Sequence, residues 1–175
     1  HGLEPTPAMP TDTLTIRPAR TDTDLAAARR LFTEYAASLD FDLCFQDFED
    51  ELNRLPGDYA PPDGALLLAE VDDAIVGCVA LRPMQEDGVC EMKRLYVQPN
   101  ARREGVGRAL AEAIVNTGQA LGYAVMRLDT VASMQAARRL YASLGFEETD
   151  PYYHNPLPDV VYMQRDLRDE ETTTR

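Results

Sequence analysis

EMKRLYVQPNARREGVGRALAEAIV, residues 91–115, sets paired arginines and two glycines between an extended run and a helical one. Val89–Val97 reads as a long strand leading in. Beyond the glycines, Val106, Leu110, Ala113, Ile114, Thr117 and Leu121 mark one face of a helix that Gly122 closes. A glycine loop opening a helix is a plan for holding an anion. Glycine lets backbone approach a bulky group, first-turn N–H groups point outward, and the helix dipole favours negative charge. Arg102, Arg103 and Arg108 add charge-assisted donors. The bland reading is a glycine turn with a solvated arginine face.

Two familiar anion loops fit poorly. A Walker A loop needs Gly-x4-Gly-Lys-Ser/Thr, a string this chain lacks. A dinucleotide fingerprint needs G-x-G-x-x-G; Gly105 and Gly107 supply two glycines, but Leu110 takes the third place and Gln98–Glu104 intervene after the strand. Asp129 stands about where a ribose-binding acid belongs, which keeps that rival weakened rather than excluded. The third design, Arg102-x-x-Gly105-x-Gly107, fits best.

Outward from the loop, the chain reads as one domain. Thr13–Arg17 alternates like a short strand. Asp24–Leu39 carries Leu25, Ala28, Phe32, Tyr35, Ala36 and Leu39 at helical spacing, with Thr23 or Asp24 as cap. Phe45, Phe48, Leu52 and Leu55 predict a second helix that Pro56-Gly57 ends. Ala65–Val71 and Ala74–Met84 flank Asp72-Asp73 as a hairpin, with Gly77 hinting at a bulge or close backbone approach. Glu86-Asp87-Gly88 turns into Val89–Val97. Ala124–Asp129 is a strand, Ser133–Leu144 a helix ending at Gly145, and Phe146–Thr149 and Val160–Asp166 are final strands. The order β-α-α-β-β-β-α-β-α-β-β implies an α/β (α+β) fold with a mixed, mostly antiparallel sheet and helices on both faces.

Composition narrows the partners. A chain of 175 residues with 45% apolar content suits one domain with a real core. No apolar run approaches the roughly 18–20 residues of a membrane span, and the start has no signal-peptide pattern. Residues 1–9 read as a disordered remnant outside the fold, His1–Ala8 as left over from expression; 10–168 read as the domain and 169–175 as a polar tail. Cys44, Cys78 and Cys90 form no CxxC pattern, and His1 and His154 are too few for a metal site. Free thiols fit a reducing cytoplasm. A net charge of −13 argues against nucleic acid and fits solubility or a cationic substrate.

The neighbourhood of the loop adds a resemblance. EMKRLYVQP, then RREGVGRAL, then a strand ending LDT, then AARRLYASLGFEE is similar in order and spacing to the GCN5-related N-acetyltransferase (GNAT) superfamily. The arginine–glycine string resembles its pyrophosphate-binding signature, and LYASLGF its later Leu-Tyr-x-x-x-Gly-Phe signature. The motifs span Val89–Glu147, and the fold-level match runs from about Thr13 to Leu167. PYYHNPLPDVVYM also resembles a subset of small bacterial acetyltransferases. One departure is Met134, where many relatives carry asparagine; Ser133 or Gln135 could replace its contact to the cofactor.

The resemblance implies the GNAT fold, acetyl-CoA as cofactor, transfer to a primary amine, and a homodimer. It puts the diphosphate on the backbone of Arg103, Glu104, Gly105, Val106, Gly107 and Arg108, with Arg102 alongside. The pantetheine arm would run beside Leu95, Tyr96 and Val97 like an added strand, and an N–H near Leu95 would polarise the thioester carbonyl. Tyr141 would stand near the sulfur as the acid, although from pattern alone it is a core residue on the Ala137-Leu140-Leu144 stripe.

An attacking amine must lose a proton, which calls for a base or a water chain. Glu91 is the candidate. Val89, Glu91, Lys93, Leu95 and Val97 share one strand face, and Cys90, Met92, Arg94 and Tyr96 the other. Charges at Glu91, Lys93 and Arg94 in a central strand either pair or line a wet cleft; same-face spacing favours Lys93 as Glu91's partner. Glu91, Lys93, Tyr152 and Tyr153 are candidate acceptor contacts, with His154, Asn155 and the Phe41–Phe48 stretch as further walls. The expected function is direct acetyl transfer to a small amine or amino-acid-like molecule in a ternary complex. The alternatives are acetylation of a protein N-terminus or lysine, and a CoA-binding sensor without catalysis.

Overall fold

Alternation along the strands sorts the apolar side chains into two layers, one on each face of a single sheet. The computed structural model describes residues 13–39, 47–155 and 157–168. Readings for Cys44, Phe45, most of the Phe41–Phe48 stretch and both chain ends lie outside them.

β1 (Leu14–Pro18) leads to α1 (Asp22–Ala37), then α2 (Phe48–Asn53) and a short 3-10 turn at Gly57–Tyr59. β2 (Ala65–Val71), β3 (Ala74–Pro83) and β4 (Val89–Val97) form an antiparallel meander. A 3-10 turn (Pro99–Glu104) and α3 (Val106–Ala120) cross over to β5 (Val125–Val131). α4 (Gln135–Ser143), β6 (Glu147–Thr149) and β7 (Val160–Asp166) complete the order. Among the described residues the seven strands make one sheet, ordered β1-β2-β3-β4-β5-β7-β6, and only β4–β5 is parallel.

Local chemistry explains the elements. Asp72 and Asp73 both take positive φ, 51° and 72°, which gives the β2–β3 hairpin a two-residue turn of the hand that matches strand twist. α1 begins two residues earlier than its apolar spacing suggests. Thr21 is the N-cap, and Asp24 at the third helical position returns a bond to its backbone; the Thr23-or-Asp24 cap is corrected accordingly. The second helix spans only Phe48–Asn53, and Leu55 is buried just beyond it.

α1 and α2 cover one face of the sheet, where Ala28, Leu31 and Phe32 meet Leu66, Leu68, Cys78, Ala80 and Tyr96. Burying Leu31 or Phe32 completely stabilises the fold by roughly 1.5–3 kcal/mol each. The opposite face carries α3 and Tyr141 of α4 over Leu67, Val79, Leu81, Met92, Met126 and Leu128. Gly77 fulfils both of its readings: the β2–β3 register shifts beside it, and a Cβ there would lie 3.0 Å from both Leu110 Cδ1 and the Tyr96 carbonyl oxygen.

Two features of β4 set up the site. Pairing with β5 runs Val89↔Val125, Cys90↔Met126, Glu91↔Arg127 and then stops, so the strands part. The β3–β4 register also slips between Cys78 and Ala80, where Arg94 takes φ +61°. That bulge corrects the simple alternation expected for β4. Lys93 lies opposite Ala80 and Tyr96 opposite Cys78, so both face α1 and α2. Arg94 reaches Glu51 of α2 on the same side, whereas Leu95 and Val97 join Met92 on the α3 side.

Candidate active site

A cleft of about 490 Å³ opens where β4 and β5 part. Met92–Val97 form one wall and Leu128–Val131 the other. Beyond Glu91↔Arg127 no β4–β5 pairing follows among the described residues, so the facing strand edges are not bonded to each other. Such an edge accepts an extended ligand by strand-like pairing.

α3 closes one end of the cleft. Its N-cap is Gly105 at φ +76°, a conformation that favours glycine and carries no capping side chain. The ladder starts with the Ala109 N–H donating to the Gly105 carbonyl at 3.1 Å, so the N–H groups of Val106, Gly107 and Arg108 precede it. Gly107 lines the cleft, and a Cβ there would meet only Val97 Cγ2, at 3.8 Å. Protein packing therefore does not require glycine at 107; close approach of something in the cleft would. The geometry fits an anionic group with an extended arm.

The arginines divide their work. Arg102 lines the cleft, its Nε donating to the Val97 carbonyl at 2.8 Å and its guanidinium 5.7 Å from the Tyr96 ring centre. Arg108 turns toward α4 and donates to Ser143 Oγ at 2.7 Å. Arg94 is clamped by Glu51 through Nε at 2.9 Å and Nη2 at 2.7 Å, with the Phe48 ring centre 5.3 Å away.

Tyr141 lines the cleft from α4 and packs edge-on against Phe146. Burial pushes its phenol well above the usual range, so it keeps its proton throughout neutral pH. Met134 lines the cleft in the position of the missing asparagine, as do Ser133 and Gln135. Met134 Sδ accepts from Thr130 Oγ1 at 3.5 Å.

Glu91 has a different setting. It is 1% exposed and does not line the cleft. Its partner is cross-strand Arg82, with Nε 2.9 Å from Oε1, and Tyr152 Oη donates to Oε2 at 2.8 Å. Burial alone would raise its carboxyl; the charges of Lys93 and Arg82 and these hydrogen bonds outweigh burial and hold it below the usual carboxylate range. Lys93, favoured by same-face spacing, is the leading charge that holds Glu91 ionised, and Arg82, which the β3–β4 register places directly opposite, joins it.

Lys93, two residues farther along the same face, does line the cleft and is 7% exposed. Burial lowers its ammonium, partly offset by Glu91 and Asp129. Tyr152 and Tyr153 turn their hydroxyls to carboxylates. Tyr152 binds Glu91, and Tyr153 makes a short bond to Asp129 and accepts from Asn155 Nδ2 at 2.7 Å. Asn155 and Leu157 reach the cleft, and His154 is exposed outside it.

The cleft also holds residues that sequence reading did not assign to an acceptor site: Tyr35, Ser38, Arg94, Asp129 and Thr130. Asp129 is the one carboxylate lining it among the described residues. Its signal was present in VMRLDTV, residues 125–131, where Arg127 and Asp129 alternate with buried Met126, Leu128 and Thr130. Only the β4–β5 register tells which cavity they face.

The model of the acetyltransferase (GNAT) family matches residues 25–146. Over 145 residues the chain is 43% identical to an uncharacterized N-acetyltransferase of Schizosaccharomyces pombe, covering 82% of this chain and 89% of that protein. It is 32% identical over 133 residues to an IAA acetyltransferase of Azospirillum brasilense, covering 67% and 87%. The Salmonella typhimurium protein yncA, solved with its cofactor acetyl-CoA, shares the fold at a TM-score of 0.65 and 22% identity over 88% of this chain and 94% of that one. A parted β4–β5 pair, a glycine-capped crossover helix and these matches lead to one conclusion: the chain belongs to the GNAT family of acetyltransferases.

Proposed function

We propose that the protein transfers acetyl from acetyl-CoA to the primary amine of a small, amino-acid-like acceptor, directly and within a ternary complex. The observation that carries this reading is the glycine-capped start of α3 opening onto the cleft between β4 and β5. The relative solved with acetyl-CoA and the family match support the choice of cofactor.

When bound, acetyl-CoA supplies a thioester carbonyl that an amine can attack. The N–H groups of Val106, Gly107 and Arg108 hold the diphosphate, and the open edge of β4 at Leu95–Val97 receives the pantetheine amides. An N–H near Leu95 polarises the carbonyl oxygen. Tyr141, protonated at neutral pH, donates to the departing sulfur. Asp129 takes the proton from the amine, a role its place in the cleft supports better than Glu91's place behind Arg82 and Tyr152.

Release of free thiol from acetyl-CoA across a panel of amines tests the reading. Turnover with at least one small primary amine is expected, and Tyr141→Phe should lower kcat on the order of 100-fold with little change in CoA affinity. Tight CoA binding without turnover on any amine would make the protein a sensor instead.

A further inference from the structure

We infer that Tyr153 is a positioning residue for the proton-accepting step: its hydroxyl holds one oxygen of Asp129, so that the other is turned to the acceptor amine. This rests on the proposed role of Asp129 and adds the group that aims its carboxylate.

The direction of each hydrogen bond carries the argument. The Leu157 backbone N–H can only donate, and it donates to Asn155 Oδ1 at 2.9 Å. That fixes the Asn155 amide, whose Nδ2 then faces Tyr153 and donates to the hydroxyl oxygen at 2.7 Å. Having accepted there, the hydroxyl directs its single proton to Asp129 Oδ2. The chain therefore runs one way, from the backbone through two side chains to a carboxylate that lines the cleft. Burial, and after it the charge of Asp129, push the Tyr153 phenol well above the usual range, so it remains a donor throughout neutral pH. With Oδ2 engaged, Oδ1 takes the proton from the amine nitrogen, and the lone pair goes to the thioester carbonyl carbon.

The fold holds the Tyr153 ring without help from that hydroxyl. The β5–β7 register sets Tyr162 directly opposite Asp129, and Tyr162 Oη donates to the Tyr153 carbonyl at 3.1 Å. The Tyr153 ring packs against Tyr162 and Tyr152, with centres 5.6 and 5.4 Å away. Tyr152 is fastened in turn by its bond to Glu91. Removing the Tyr153 hydroxyl alone therefore leaves the ring in place and releases Asp129. Tyr153 does not line the cleft, so it reaches the acceptor only through Asp129.

The test is a double-mutant cycle of Tyr153→Phe and Asp129→Asn, read as thiol release from acetyl-CoA with the best amine of a panel. Tyr153→Phe should lower kcat roughly tenfold and leave the KM for acetyl-CoA unchanged. In the Asp129→Asn background the same substitution should change kcat by less than about twofold, because the group it aims is already gone. A tyrosine that only fastened its segment would lower kcat by the same factor in both backgrounds. Turnover is counted per CoA-binding site, so an unfolded fraction does not enter the comparison. An unchanged kcat in Tyr153→Phe, or an equal loss in both backgrounds, overturns the inference and leaves the role of Asp129 standing. An Asp129→Asn protein with wild-type kcat removes that role and the inference with it. No thiol release by the wild-type protein removes the acetyltransferase reading beneath both.

Discussion

Arg94 sits inside a strand at φ +61°, a left-handed conformation that costs a non-glycine residue on the order of 1–3 kcal/mol. The bidentate bond to Glu51 and the facing rings of Phe48 and Tyr35 hold it there. Its effect is to turn Arg94 toward the same face as Lys93 and shift the alternation of everything after it. The neighbouring carboxylates then separate by role. Glu91 is held ionised by Lys93, Arg82 and Tyr152 despite burial, and it stays the anion opposite Arg82 outside the cleft. Asp129 faces the cleft. Asp129→Asn should lower kcat roughly 100-fold or more. Glu91→Gln should keep most of the turnover per folded molecule and lose stability, because Arg82 would be left without its anion. The kcat of the folded protein decides; a loss in Glu91→Gln that Asp129→Asn does not share would reverse the two roles.

At the scale of elements, α1 offers a separable prediction. Asp24 accepts from the backbone of Arg20 and Thr21 and from Arg17, whose hydrogen bond is the main cause holding its carboxyl far below the usual range. A depressed native pKa contributes stability that is complete above the unfolded-chain value of about 3.9 and fades as pH falls through it. Asp24→Asn should therefore cost about 1–2 kcal/mol at pH 7 in urea unfolding. The gap from wild type should narrow steadily below about pH 4; a gap that stayed constant or widened would contradict the ionic origin. The cap also marks where sequence reading stops. A helix over Asp24–Leu39 was legible from the spacing of Ala28, Phe32 and Tyr35, but its start at Asp22 was not, because Thr21 and Thr23 are equivalent until the chain's direction beyond β1 is known. Asp72-Asp73 was legible because a two-residue turn is local chemistry. β4 was legible as a strand, but its faces were not, since a bulge depends on the β3 register and not on composition.

Across the whole molecule, the strand-glycine-helix run at 89–120 carried the order of elements and the glycine start of α3, because both follow from neighbouring residues. The acceptor side was far less legible. Lys93, Asp129 and Asn155 come from β4, β5 and the segment before β7, and only the sheet order brings them to one opening. Their separation in sequence hides it: Glu91 finds Arg82 and Tyr152, while Asp129, which sequence reading considered only for a nucleotide-binding alternative, faces the cleft. The proposed cofactor binding depends most on the start of α3, where the sheet opening and the helix end meet. Calorimetric titration of CoA into wild type and Gly107→Glu tests it most directly. The space above Gly107 is cleft and a Cβ there meets only Val97 at 3.8 Å, so the variant should fold with nearly the wild-type melting temperature. Its carboxylate would stand where the diphosphate is proposed to bind, and CoA affinity should fall at least about tenfold. Unchanged affinity in a folded Gly107→Glu protein would contradict the account.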